Sequence, residues 1–117
     1  EKVIIILLPS GSMSNDPGVQ YARDIRKATK KDKHLRRRVS DAEKIIFEDP
    51  SAGELKTMSR GSRGSVLASL IRGYGVVYAR NIGKHRLLYH YNRSDNTILL
   101  LRFGTHKQLY QGPGHTM

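Results

Sequence analysis

The apolar and polar positions along the chain fall into blocks of different period. "KVIIILLP" near the start is apolar on both faces, rich in β-branched residues and closed by Pro9, which predicts a buried strand. "SGSMSN" has no period and reads as a loop. Val19, Ala22, Ile25 and Ala28 then repeat at helical spacing, predicting a helix from Pro17 to about Lys31. Asp16 is placed to accept from the free N–H groups of its first turn, and Pro17 suits the first helical position. Asp32 is a second candidate cap. Beyond it Leu35, Val39, Ala42, Ile45 and Ile46 define a second helix that Pro50 closes. Together these form a helical hairpin with a very short turn.

The period then changes. "SAGELKTMSRGSRGS" is a Gly/Ser loop, and "VLASLIR" at 66–72 fits either a strand or a short helix. "GVVYARN", "GKHRLLYHY" and "TILLLRF" read as three strands, joined by a tight turn near 81–83 and by "NRSDN". Gly104 ends the last of them and "THKQLY" follows as a tail. Alternation puts Arg86, Leu88 and His90 on one face of the middle strand, and His85, Leu87, Tyr89 and Tyr91 on the other. Arg102 shares a face with Leu100 and Ile98. The order β-α-α-β-β-β predicts an α+β fold, with the two-helix hairpin packed on one face of a small antiparallel sheet. An antiparallel sheet can keep its other face wet, so polar chemistry is expected there, with Arg86 and His106 near strand ends at a cleft rim.

A chain of 117 residues suits one domain, 1–117, with one modest core. Residues 10–15 and 111–117, containing "GSM" and "GPGHTM", read as linker or appended residues, and Glu1 points to a native start elsewhere. The longest apolar run is too short to span a bilayer and lacks the layout of a signal peptide, so no membrane partner is expected. The absence of cysteine excludes disulfide and thiolate chemistry and is compatible with a reducing, cytoplasmic setting.

Charge changes the picture most. The net charge is +11, and it is unevenly spread. Up to Leu55, 11 Lys and Arg face 9 acids; from Lys56 onward, 10 face Asp95 alone. Such a positive pole attracts polyanions. The run "KKDKHLRRR" at 30–38 reads either as the solvated end of the helix pair or as a contact for a large RNA. His85 and His90 lie on opposite strand faces with no acidic cluster beside them, which disfavours a metal site. A Ser-His-Asp triad has only Asp95 to draw on, and no Gly-rich loop joins a strand to a helix. What remains is Arg, Lys, His and Tyr. These suit phosphodiester cleavage without a metal or other cofactor: cations neutralise charge growing on phosphate oxygens, His or Tyr moves protons, and Tyr stacks on bases. Each candidate also has a plain structural role open to it. Arg86 can pair with Glu54, His106 can be a surface His, and Tyr110 can be a core anchor.

"EDPSAGELK", "GKHRLLYHY" and "RFGTHKQLY", in this order over roughly Asp16 to Tyr110, resemble the RelE/ParE toxin superfamily, the toxin halves of type II toxin–antitoxin pairs. The resemblance to its RelE and YoeB branch implies an endoribonuclease that cleaves mRNA on the ribosome and inhibits translation. It also implies a cognate small antitoxin as partner. By that resemblance Arg86, opening "RLLY", clamps the phosphate. His106 in "GTHK" serves proton transfer or phosphate contact, and Tyr110 is the closing tyrosine. Glu54 in "GELK" matches a general base, with one residue fewer before the Leu than in YoeB. Lys56, Arg60, Arg63, Arg80, Lys84, Arg102 and Lys107 are the expected RNA contacts. RelE's own lysine pair is missing from "VVYAR", which offers only Arg80, and "SRGSRGSVLASLIRGYG" is longer than the usual connection. A ParE-like gyrase inhibitor, or an inactive RNA-binding relative, shares the fold and remains the alternative.

Overall fold

The computed structural model describes residues 4–5, 17–56 and 64–110. The Asp16 cap, most of the first strand, Arg60, Arg63 and the two candidate linker segments fall outside these residues. The elements in chain order are β1 (Ile4–Ile5), α1 (Pro17–Thr29), α2 (Lys33–Glu48), β2 (Glu54–Lys56), α3 (Val66–Tyr74), β3 (Val77–Ile82), β4 (His85–Asn92), β5 (Thr97–Thr105) and α4 (His106–Tyr110). A single 3-10 turn, Pro50–Ala52, sits between α2 and β2. The strands form one sheet in the order β1-β5-β4-β3-β2, with β1 parallel to β5 and the other four strands antiparallel. This is a small α+β fold with helices packed on a largely antiparallel sheet. Among the described residues, no helix is long and apolar enough to cross a membrane.

The hairpin forms as its sequence dictates. Asp32 caps α2 by accepting from the Leu35 amide at 2.9 Å, so the turn after Thr29 is closed by a side chain. Leu35, Val39, Ala42 and Ile46, spaced 4, 3 and 4, form the buried stripe of α2. On α1 Ile25 and Ala28 pack on the core as expected, while Tyr21 takes the place expected of Ala22, which is exposed. The Tyr21 ring is buried, and its hydroxyl donates to Glu43 on α2 at 2.6 Å. These side chains pack on Ile82, Leu87, Tyr89, Ile98, Leu100 and Phe103.

The other face is not the wet surface that the alternation suggested. It carries a second core of Leu67, Val77, Ala79, Leu88, Leu101 and Leu109, covered by α3 and α4. Residues 66–74 are helical because Ser65 accepts from the Ala68 amide at 3.0 Å, a cap that settles the apolar run. The expected β-α-α-β-β-β order therefore gains β2, α3 and α4. On β4 the faces follow the alternation, with Leu87 and Tyr89 toward the hairpin and Leu88 toward α3 and α4. On β5 a register shift breaks it: Arg102 pairs with Leu88 and does not share the face of Ile98 and Leu100. This shift, opposite Leu88 and Tyr89, bends β5. Near it, Asp24 of α1 accepts from Arg102 Nε at 2.6 Å, Arg102 Nη2 at 3.2 Å and the Phe103 amide at 2.9 Å.

Candidate functional site

Polar chemistry on the second face is confined to its margin. Three segments meet there: the edge strand β2, the start of β4, and α4. Glu54 pairs across the sheet with Ala79, and Ala79 with Leu88, so Glu54 and Lys56 lie on the α3/α4 face. Arg86 lies on the same face, flanked by Asn81 and Gly104. α4 begins at once after β5. Its N-terminus is tied by a reciprocal pair: the Gln108 amide donates to Thr105 Oγ1 at 3.2 Å, and the Thr105 amide donates to Gln108 Oε1 at 2.9 Å. This is a capping box. Gly104 permits the sharp return, since a Cβ there would lie 2.8 Å from Gln108 Oε1.

Tyr110 is the centre of the cluster. The His106 ring, one turn earlier on α4, meets it edge-on with centroids 4.4 Å apart. Lys56 Nζ lies over the ring, 4.8 Å from its centroid, and pairs with Glu54 at 3.3 Å. Arg86 Nη1 donates to the carbonyls of Gly83 at 3.1 Å and His85 at 3.0 Å. A guanidinium has five N–H donors; among the described residues only Nη1 of Arg86 meets an acceptor, and these bonds hold its plane. The Tyr110 hydroxyl is buried and has no hydrogen-bond partner among the described residues. Burial pushes its pKa up to about 12; Arg86 pulls the other way and Glu54 adds to the rise. The hydroxyl is therefore protonated at neutral pH, with no acceptor among the described residues.

The structure thus brings together Arg86, His106, Tyr110, Glu54 and Lys56. Lys107 is exposed on α4 beside them. The open alternative of an Arg86–Glu54 ion pair is not realised, because Glu54 pairs with Lys56. Arg102 is held by Asp24, on a cavity of about 330 Å³ between α1, β5 and α4 that the Tyr110 cluster does not line. Lys84 sits toward α2, whereas Arg80 lines one cavity with α2 and another with Glu54 at the β2 edge. His85 stacks flat on Phe103 with centroids 5.0 Å apart. His90 bonds the Val76 carbonyl at 2.7 Å and leans on Tyr74, so the two histidines are apart as expected. Among the described residues, no three His, Asp or Glu side chains gather to hold a metal ion. The capping box was readable as T-x-x-Q at 105–108; the role of Asp24 had no local signal.

The chain matches no protein-family model, no curated protein and no solved structure. What it does is therefore argued from the cluster itself.

Proposed function

We propose that the protein is a RelE/ParE-type toxin: an endoribonuclease that cleaves mRNA at the Tyr110 cluster without a metal, acts on the ribosome and is restrained by a small antitoxin. The observation that carries this reading is the buried, unpartnered Tyr110 hydroxyl set among Arg86, His106 and Lys56. An orphaned polar group in a cationic recess is costly to keep and is explained by a ligand that supplies its acceptor. An RNA phosphate supplies that acceptor, and an adjacent base supplies a face for the ring.

The chemistry follows from the groups. The ribose 2′-oxygen loses its proton to Glu54 or His106 and attacks the adjacent phosphorus. Arg86 Nε and Nη2 hold the phosphate oxygens as negative charge grows on them. The bond from phosphorus to the 5′-oxygen breaks, and His106 or Tyr110 donates the proton that this oxygen takes. Tyr110 serves as donor or stacking surface and not as base, because its raised pKa keeps it protonated. Lys56 keeps the recess positive and orients Glu54. The antitoxin is expected to be acidic, since covering this margin relieves charge repulsion as well as blocking RNA.

The test is incubation of the purified protein with RNA, free and ribosome-bound, in EDTA. The expected products carry a 2′,3′-cyclic phosphate or 3′-phosphate and a 5′-hydroxyl. Arg86→Ala and His106→Ala should each lower the rate by roughly two to three orders of magnitude with the fold intact. Blocked DNA supercoiling with normal protein synthesis would instead favour the ParE-like reading.

A further inference from the structure

The β3–β4 turn separates the Tyr110 cluster from a second cationic surface. Gly83 takes a φ of 62°, where a side chain would be strained. Its carbonyl is held by Arg86 from one side of the sheet. From the other side the Arg38 guanidinium of α2 covers it so closely that a Cβ on Gly83 would lie 3.1 Å from Arg38 Nη1. Two guanidiniums thus straddle one glycine. Arg38 also lies on the shared wall of two cavities of about 350 Å³ and about 240 Å³ along the seam between α2 and β3. Lys84 and His34 border the first and Arg80 the second. The acids on these walls are Asp32, whose carboxylate is engaged as the α2 cap, and Asp41. Among the described residues, neither Arg38 nor Lys84 has an acid within 4 Å, although both are exposed. The His85 pKa is lowered by burial first and then by Lys84; Asp32 opposes this, and Arg38 adds a smaller lowering than Asp32 removes.

We infer that Arg38 and Lys84 form a second phosphate-binding surface, which holds the flanking backbone of a single-stranded RNA as it leaves the Tyr110 cluster and crosses the β3–β4 turn onto α2. This rests on the proposed RNA reading of that cluster. The positive path is continuous, from Arg86 over Gly83 to Arg38. A single strand is favoured over a duplex because a base stacked on Tyr110 has already left its own stack.

The probes are uncleavable 2′-O-methyl RNAs of about four and about twelve nucleotides, a span that brackets the sites of single-strand binders. Binding is read by fluorescence anisotropy across a salt series, for the wild type and for Arg38→Ser, Lys84→Ser and the double variant. Circular dichroism and melting check each fold, and the turn variant Lys84→Ser carries the test alone should Arg38→Ser misfold. The double variant should bind the long RNA about tenfold more weakly, with the slope of log K against log salt shallower by about 1.4, while the short RNA loses little. Unchanged binding of the long RNA, or equal losses for both lengths, would overturn the inference. So would a duplex DNA of equal length that outcompetes the RNA on the wild type but not on the double variant. Cleavage of an all-ribose short RNA by the wild type is read separately. If that fails while the length-dependent loss persists, the proposed activity falls and the surface stands.

Discussion

Tyr110 sets two properties of the molecule against each other. A buried hydroxyl without a partner costs about 1–3 kcal/mol, so removing it should help the fold. In the proposed reaction the same hydroxyl is one of the two candidate proton donors, with His106. Tyr110→Phe is therefore expected to raise stability by about 1 kcal/mol in urea denaturation while slowing RNA cleavage roughly a hundredfold. A purely structural tyrosine would move only the first measurement. The tyrosines also give a pH signature. Burial pushes Tyr89 and Tyr110 up to about 12 from an ordinary value of 10.0, and Tyr21 is raised as well. A folded pKa above the unfolded one means that the stability is fully present below pH 10.0 and is lost as pH rises through the folded values. Thermal melts should be flat to about pH 10 and then fall, and Tyr110→Phe should make the fall shallower.

At the scale of elements, the placement of α4 decides whether the cluster exists. His106 and Tyr110 are held by a helix of five residues, too short to persist without its cap. Gln108→Ala removes the acceptor of the Thr105 amide, leaves the backbone bond from the Gln108 N–H to Thr105 Oγ1, and should cost about 1 kcal/mol. It should also speed amide exchange at 106–110 ahead of the rest of the chain. The opposite edge of β5 depends on Asp24, which takes three donors in a half-buried setting. Asp24→Ala leaves Arg102 without its counter-charge and should cost about 2–4 kcal/mol by urea denaturation. The hairpin, the Asp32 cap and the two faces of β4 were legible because each is encoded within a few neighbouring residues. β2 was not, since three residues become a strand only through their pairing with β3. α3 was ambiguous until Ser65 was seen to cap it. Asp24 and Arg102 lie 78 positions apart, a distance over which spacing carries no signal. Of the site, Arg86, His106, Tyr110 and Glu54 were legible as residues. Their meeting point was not, because it depends on α4 folding back over the sheet margin.

For the whole molecule, the net charge of +11 is set against two ion pairs among the described residues, Lys56–Glu54 and Arg102–Asp24. Repulsion among the cations therefore outweighs attraction, and salt that screens it should raise the melting temperature between low and moderate ionic strength. A protein held by its ion pairs would show the reverse. The capping box and the close approach at Gly104 have a consequence for timing. Glu54, Lys56 and Arg86 are synthesised before β5, whereas His106 and Tyr110 come only after it. A nascent chain that has emerged as far as Phe103 already possesses the hairpin and every strand pairing around β4 except its last two. It still lacks His106 and Tyr110. On the proposed ribonuclease reading the polypeptide is inert until α4 emerges, and that interval is the time in which the proposed antitoxin can reach it.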